Sequence, residues 1–201
     1  MIAFTAKVAY TPVRKIDQAI VLIEDGKIVT AGSRDDVEVP SNTKVTDFGE
    51  EALAPGFLDI HIHGGAGYDV MHHDPGGQLK MEQFLARTGV SNYCPTTVAA
   101  PLDATLSALE RLATGIESAE RADSDSDGRA QPIGVHLEGP FLSHARRGVH
   151  PPENLLLPSL NTFNKLWQAA RGQPRHSRER ADRCRGRPCS KRHSGYRQTP
   201  A

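Results

Sequence analysis

Long apolar runs are missing from this 201-residue chain. No stretch approaches the roughly 18 consecutive apolar residues of a membrane-spanning helix, which argues against membrane insertion. The first residues, MIAFTAKVAYTPVRK, lack the basic, then apolar, then small layout of a secretory leader. A soluble, cytoplasmic protein is expected. Cysteine is scarce too. Cys94, Cys184 and Cys189 are too few, and odd in number, for a disulfide framework. Net charge is absent as well: 24 basic residues balance 24 acidic ones, while hydrophobic residues make up 38%. That composition fits one globular domain with a real core.

The balance hides a deeper local absence. Residues 171–201 contain no Val, Ile, Leu, Met or Phe, yet carry ten Lys/Arg against two acids, Glu179 and Asp182. The preceding 170 residues hold 14 basic and 22 acidic residues. A segment without large aliphatics has little to offset the entropy of ordering its backbone, so a disordered basic C-terminal tail is expected. His176, Cys184, Cys189 and His193 fit no common zinc-finger spacing and have no apolar residues to close a core around them. Nucleic acid is disfavoured as a partner, because the tail offers basic composition and one aromatic, Tyr196, but no helical charge stripe.

What is present upstream is patterned. Residues 1–50 read as a small β unit: AIVLIEDGKIVTAG places two apolar runs about an Asp25-Gly26 hairpin signal, and a short extended piece follows over 43–48. From residue 51 strands alternate with helical segments, the pattern of βα units and a parallel sheet. Strands are predicted over 58–63, 90–98 and 133–137. Helices are predicted over 78–87, from Leu102 through Ile116, and around 158–170 with Leu160, Phe163, Leu166 and Trp167 on one face. The acidic, Ser-rich residues 118–128 read as an exposed loop.

Chemistry gathers at the C-terminal ends of these strands, where a (β/α) barrel builds its active site. Side chains alternate along a strand, so His61 and His63 project to one face roughly 6–7 Å apart and can reach one metal ion. An arbitrary HxH is more often a pair of exposed or core histidines; after the apolar APGFLD and before two glycines, the ligand reading prevails. Glu138, in HLEGPF, ends another strand before a Gly-Pro turn. Alone it is as readily a surface charge as a ligand, and the HxH tips it towards metal. Arg146, Arg147 and His150 suit an anionic or polar substrate, although a solvated loop is the simpler reading without further context. His72 and His73 are expected at the surface, and Cys94 as a small buried residue.

APGFLDIHIHG, GVSNYCPTTV and GVHLEGPFLSHARRGVHPPE together resemble the N-acetylglucosamine-6-phosphate deacetylase family of the amidohydrolase superfamily, collinearly over about residues 1–170. The resemblance implies an α/β fold: a small β-sandwich half over 1–50, then the first three βα units of a (β/α)8 TIM-type barrel over 51–170. It implies a cytoplasmic, homo-oligomeric hydrolase that removes acetate from N-acetylglucosamine 6-phosphate. It implies a divalent metal as cofactor (zinc first, iron or another divalent ion next), with Glu138 as a metal ligand, His61 and His63 at a second or alternative metal position that some members of the family lack, and Val149 and His150 at the substrate. Two further histidine ligands and a catalytic aspartate would belong to later strands. A barrel needs eight βα units, so the chain is expected to be a truncated, inactive portion whose 171–201 segment arises from out-of-frame translation. The alternatives are another amidohydrolase, dihydroorotase-like or a deaminase, and a non-enzymatic protein with a basic binding tail.

Overall fold

Asp25 and Gly26 both adopt positive φ, 49° and 70°. This is the backbone of a two-residue hairpin turn, whose twist matches that of its flanking strands. The hairpin joins β2 (Lys15–Glu24) to β3 (Lys27–Ser33), and β2 pairs antiparallel with β1 (Ile2–Tyr10). Beyond β1, β4 (Lys44–Asp47) and β5 (Ala52–Leu53) pair parallel to successive stretches of the same strand. Small residues Ala3, Ala6, Ala9 and Ala19 are fully or almost fully buried, with Ile16, Ile20 and Leu22 beside them. The hairpin and the extended piece thus lie where the apolar runs placed them. β2 begins earlier than its first apolar run, however, with a positive φ at Gln18.

The computed structural model describes residues 1–74, 76–121 and 128–171, so the expected tail lies outside the described residues but for Arg171. Contacts divide the chain into two compact units, the first Met1–Gly56 and the second beginning at Phe57. The second is mixed α/β. β6 (Phe57–Ile62) is followed by a miniature hairpin of β7 (Gly64–Gly65) and β8 (Tyr68–Asp69). Then come α1 (Gly77–Arg87), β9 (Val90–Thr97), α2 (Leu102–Arg121), β10 (Gln131–Pro132) and β11 (His136–Leu137). Two single 3₁₀ turns, His144–Arg146 and Pro152–Asn154, precede α3 (Leu160–Ala169).

All pairings of β6, β9, β10 and β11 are parallel. β9 is central: β6 and β10 both pair with it at Asn92 and Tyr93, and β11 pairs further along it at Thr96 and Thr97. Parallel neighbours need crossovers, and α1 and α2 supply two of them. Met81 and Leu85 of α1 pack with Tyr93, Leu112 and Ala130 in one core cluster, and Leu109 of α2 with Leu166 and Ala169 of α3 in another.

Three sequence expectations need correction. The third strand is not continuous over 133–137: it is split into β10 and β11 around Gly134. The Ile133 N–H still bonds the Tyr93 carbonyl at 3.0 Å, so the chain leaves the ladder only after that point. The loop expected from residue 118 begins later, because α2 continues to Arg121. In α3 the packed positions are Leu166 and Ala169, while Leu160 is 82% exposed and Trp167 stacks on Phe163 at 6.1 Å. Periodicity marks an apolar stripe, but the neighbour decides which part of it is covered. Among the described residues no helix is long and apolar enough to cross a membrane.

Candidate metal centre

β6 delivers its ligands by alternation. His61 and His63 flank Ile62, and both imidazoles leave the same side of the strand end. His61 Nε2 lies 3.1 Å from His63 Nε2. Glu138, just past β11, brings Oε2 to 3.0 Å from His63 Nε2 and 3.4 Å from His61 Nε2. The three ligand atoms all lie within 4.8 Å of one another. The imidazoles are each 43% exposed and the carboxylate 31%, so the cluster faces an accessible mouth.

The chain turns sharply after His63. Gly64 has φ +157°, and a Cβ there would overlap the carbonyl oxygen of Tyr68. Only glycine fits such a close backbone approach. The Val70 N–H then returns to the His63 carbonyl at 2.9 Å, tying the hairpin to the ligand residue.

Backbone partners fix the tautomers. His63 Nδ1 lies 3.0 Å from the carbonyl oxygen of Thr96. A carbonyl can only accept, so Nδ1 carries hydrogen and neutral His63 presents a bare lone pair at Nε2. That lone pair faces a carboxylate oxygen at 3.0 Å, an arrangement satisfied by a shared cation, either a metal ion or a proton on Nε2. His150 is the reverse case. Its Nδ1 accepts the Ala99 N–H at 3.1 Å, so its hydrogen sits on Nε2, 3.6 Å from Glu138 Oε1. His150 is 6% exposed, and the Arg147 guanidinium bonds its carbonyl at 2.7 Å.

The donor set fits a divalent ion. Two nitrogens or oxygens each about 2.0–2.1 Å from a tetrahedral zinc lie about 3.3 Å apart. The observed spacings of 3.0, 3.1 and 3.4 Å bracket that value. Two imidazoles and one carboxylate, with an open side, are the donors of a catalytic rather than a closed structural zinc site.

The remaining residues divide. Val149 is 94% exposed, in contrast to its buried neighbour His150. Arg147 bonds backbone carbonyls of its own loop, and Arg146 is exposed. His72 and His73 are exposed and Cys94 is buried. Sequence reasoning did not single out His136, Thr96 or Ala99. His136 stood inside the quoted HLEGPF motif, two residues before the carboxylate and thus on the same strand face; that period was the available signal. Thr96 and Ala99 act through backbone atoms, which leave no mark in the residue types.

No protein-family model matches the chain. It is 41% identical over 114 residues to the N-acetylgalactosamine-6-phosphate deacetylase of Escherichia coli O157:H7, a match covering 57% of this chain and 28% of that protein. It is 32% identical over 157 residues to the N-acetylglucosamine-6-phosphate deacetylase of Bacillus subtilis, covering 78% of this chain and 38% of that protein. Its fold resembles crystal structures of N-acetylglucosamine-6-phosphate deacetylases. For Mycobacterium smegmatis the TM-score is 0.70 at 23% identity, over 87% of this chain and 42% of that one. For Thermotoga maritima it is 0.57 at 29% identity, over 82% and 38%. The matches therefore span about two fifths or less of each relative's length.

Proposed function

We propose that this chain is the metal-binding N-terminal portion of an amidohydrolase that removes the acetyl group from an N-acetylhexosamine 6-phosphate, releasing acetate and the free amino sugar phosphate. The observation that carries the reading is the His63 lone pair held 3.0 Å from a Glu138 carboxylate oxygen by a backbone bond on the opposite ring nitrogen. Similarity to deacetylases over 78% of the chain supports the substrate class. In this reading residues 1–50 form half of a flanking β-sandwich and 51–170 the first three units of a (β/α)8 barrel. Residues 171–201 have no part in the chemistry. The complete enzyme is cytoplasmic and homo-oligomeric.

His61, His63 and Glu138 would hold the ion, with zinc the first choice and iron or another divalent metal next. A divalent cation there supplies Lewis acidity towards water and towards the acetamide carbonyl. The residues of the chain then have separate tasks. His63, oriented by Thr96, and Glu138 place negative and neutral donors on one point. His150 offers an Nε2–H beside that point, a preorganised donor for the oxygen on which charge develops as the carbonyl is attacked. Its burial and the Arg147 bond keep that donor aimed. The exposed Val149 would meet the sugar in the accessible mouth.

N-acetylglucosamine 6-phosphate is the first substrate reading. The 41% identity to a deacetylase named for the galactosamine epimer favours a second. The two sugars share the 6-phosphate and the acetamide, and it is the acetamide on which the proposed chemistry acts.

The test joins residues 1–170 of this chain to the remaining C-terminal part of the B. subtilis relative and measures acetate release from both sugar phosphates. Metal-dependent release is expected, falling at least about 100-fold on H63A or E138Q, since the ligands act as a unit. A soluble, zinc-loaded chimera that hydrolyses neither sugar would sink the proposal. A preference between the two substrates would decide between the readings.

A further inference from the structure

His136 opens β11, two residues before Glu138, and its side chain reaches β6. Its Nδ1 lies 3.0 Å from the carbonyl oxygen of Ile60 on β6. Since the carbonyl accepts, Nδ1 carries the hydrogen. β6 and β11 each pair with β9 and not with each other, so this bond links two strands that share no ladder. The His136 ring also stands edge-on to His61, with centroids 4.8 Å apart and planes at 81°.

His61 needs such a neighbour. His63 is aimed by the Thr96 carbonyl and His150 by the Ala99 N–H, but His61 Nδ1 has no backbone partner among the described residues. Its ring is held between two others, His63 at 4.8 Å and 88° on one side and His136 on the other. We infer that His136 is a positioning residue for His61. It holds the Ile60 carbonyl through Nδ1–H and walls the His61 ring, so that His61 Nε2 converges with His63 and Glu138. His136 lies outside the converging ligand set and acts on the ion only through His61. The inference rests on the metal reading above.

Partners that orient a ligand typically contribute about 10–100-fold to metal affinity. The full 201-residue chain is titrated with Co²⁺ against a chromophoric chelator, as wild type, H136F, H61A and the H61A/H136F double variant. H136F keeps ring volume and removes the donor. It is expected to weaken Co²⁺ binding about tenfold or more at unchanged melting temperature, and to add nothing further in the H61A background. H136N keeps a donor near Nδ1 and removes the wall; it carries the comparison if H136F does not fold. Native affinity in both His136 variants overturns the inference, as does an equal loss from H136F with and without His61. A wild-type chain that takes up no Co²⁺ overturns the metal reading itself.

Discussion

The two nitrogens of His63 meet opposite partners, a carbonyl that takes a hydrogen and a carboxylate that offers none. Thr96 contributes to this in two separable ways. Its carbonyl aims His63, while its buried hydroxyl accepts the Ile62 N–H at 3.0 Å and donates to the Cys94 carbonyl at 3.1 Å. T96V keeps the carbonyl and leaves the Ile62 donor without its acceptor. A loss of about 1–3 kcal/mol is expected in urea denaturation, with zinc affinity unchanged. Equal loss of both would mean that the hydroxyl and not the carbonyl sets the site. At this scale much of the cluster was legible beforehand. Strand alternation brings His61 and His63 to one side, and that pair is what tips Glu138, ambiguous by itself at its strand end, towards a metal role. The wall formed by His136 and the tethering of His150 were not legible, since both depend on which peptide group lies opposite each ring.

At the scale of elements, α1 turns an acidic side chain inward. Glu82 is 2% exposed, and its carboxylate accepts the Tyr93 hydroxyl at 2.8 Å and the Gln78 amide at 2.9 Å. Arg129 closes the network at 3.4 Å. Burial first, and the adjacent Glu82 charge second, push the Tyr93 phenol well above its ordinary value of 10.0; Tyr68 shifts the same way, chiefly by burial. A folded-state value above the unfolded one means that stability is intact below about pH 10 and falls as pH rises beyond it, because only the unfolded chain ionises readily there. Melting temperature should hold to about pH 9 and then decline, with a shallower alkaline decline in Y93F. An identical decline in Y93F would refute the assignment. The three- and four-residue spacing of Leu102, Leu106, Leu109, Leu112 and Ile116 located α2, while α1, β6 and β9 were located by apolar segments punctuated by glycines. The broken third strand escaped both signals: Val135 and Leu137 continue the apolar pattern, but Gly134 lets the backbone leave the ladder between them.

Across the molecule, the described part of the second unit holds one parallel sheet of β6, β9, β10 and β11, and the relatives named above are matched by the chain over 28% to 42% of their lengths. β6 pairs only with β9 among the described residues, and Phe57, Leu58 and Ile60 are 70%, 53% and 60% exposed. A strand with one unpaired edge and apolar side chains in water is a template for association. The 201-residue chain on its own is therefore expected to associate with rising concentration in light scattering, less so as L58T/I60T, and to release no acetate from either sugar phosphate. Monodisperse, active protein would contradict both expectations. The resemblance in APGFLDIHIHG and HLEGPF was readable because each motif sets metal-binding residue types at a predicted strand end. The assembly around them was not, since edge pairing is a property of neighbours. β9 gives one last consequence. It donates no ligand, yet the carbonyl of its Thr96 orients His63, and the N–H of Ala99, just beyond it, orients His150. The blueprint of the centre is thus partly written in atoms common to every amino acid. Side-chain scanning along 96–99 will leave those instructions intact; replacing a single amide by an ester at residue 99 would erase one of them.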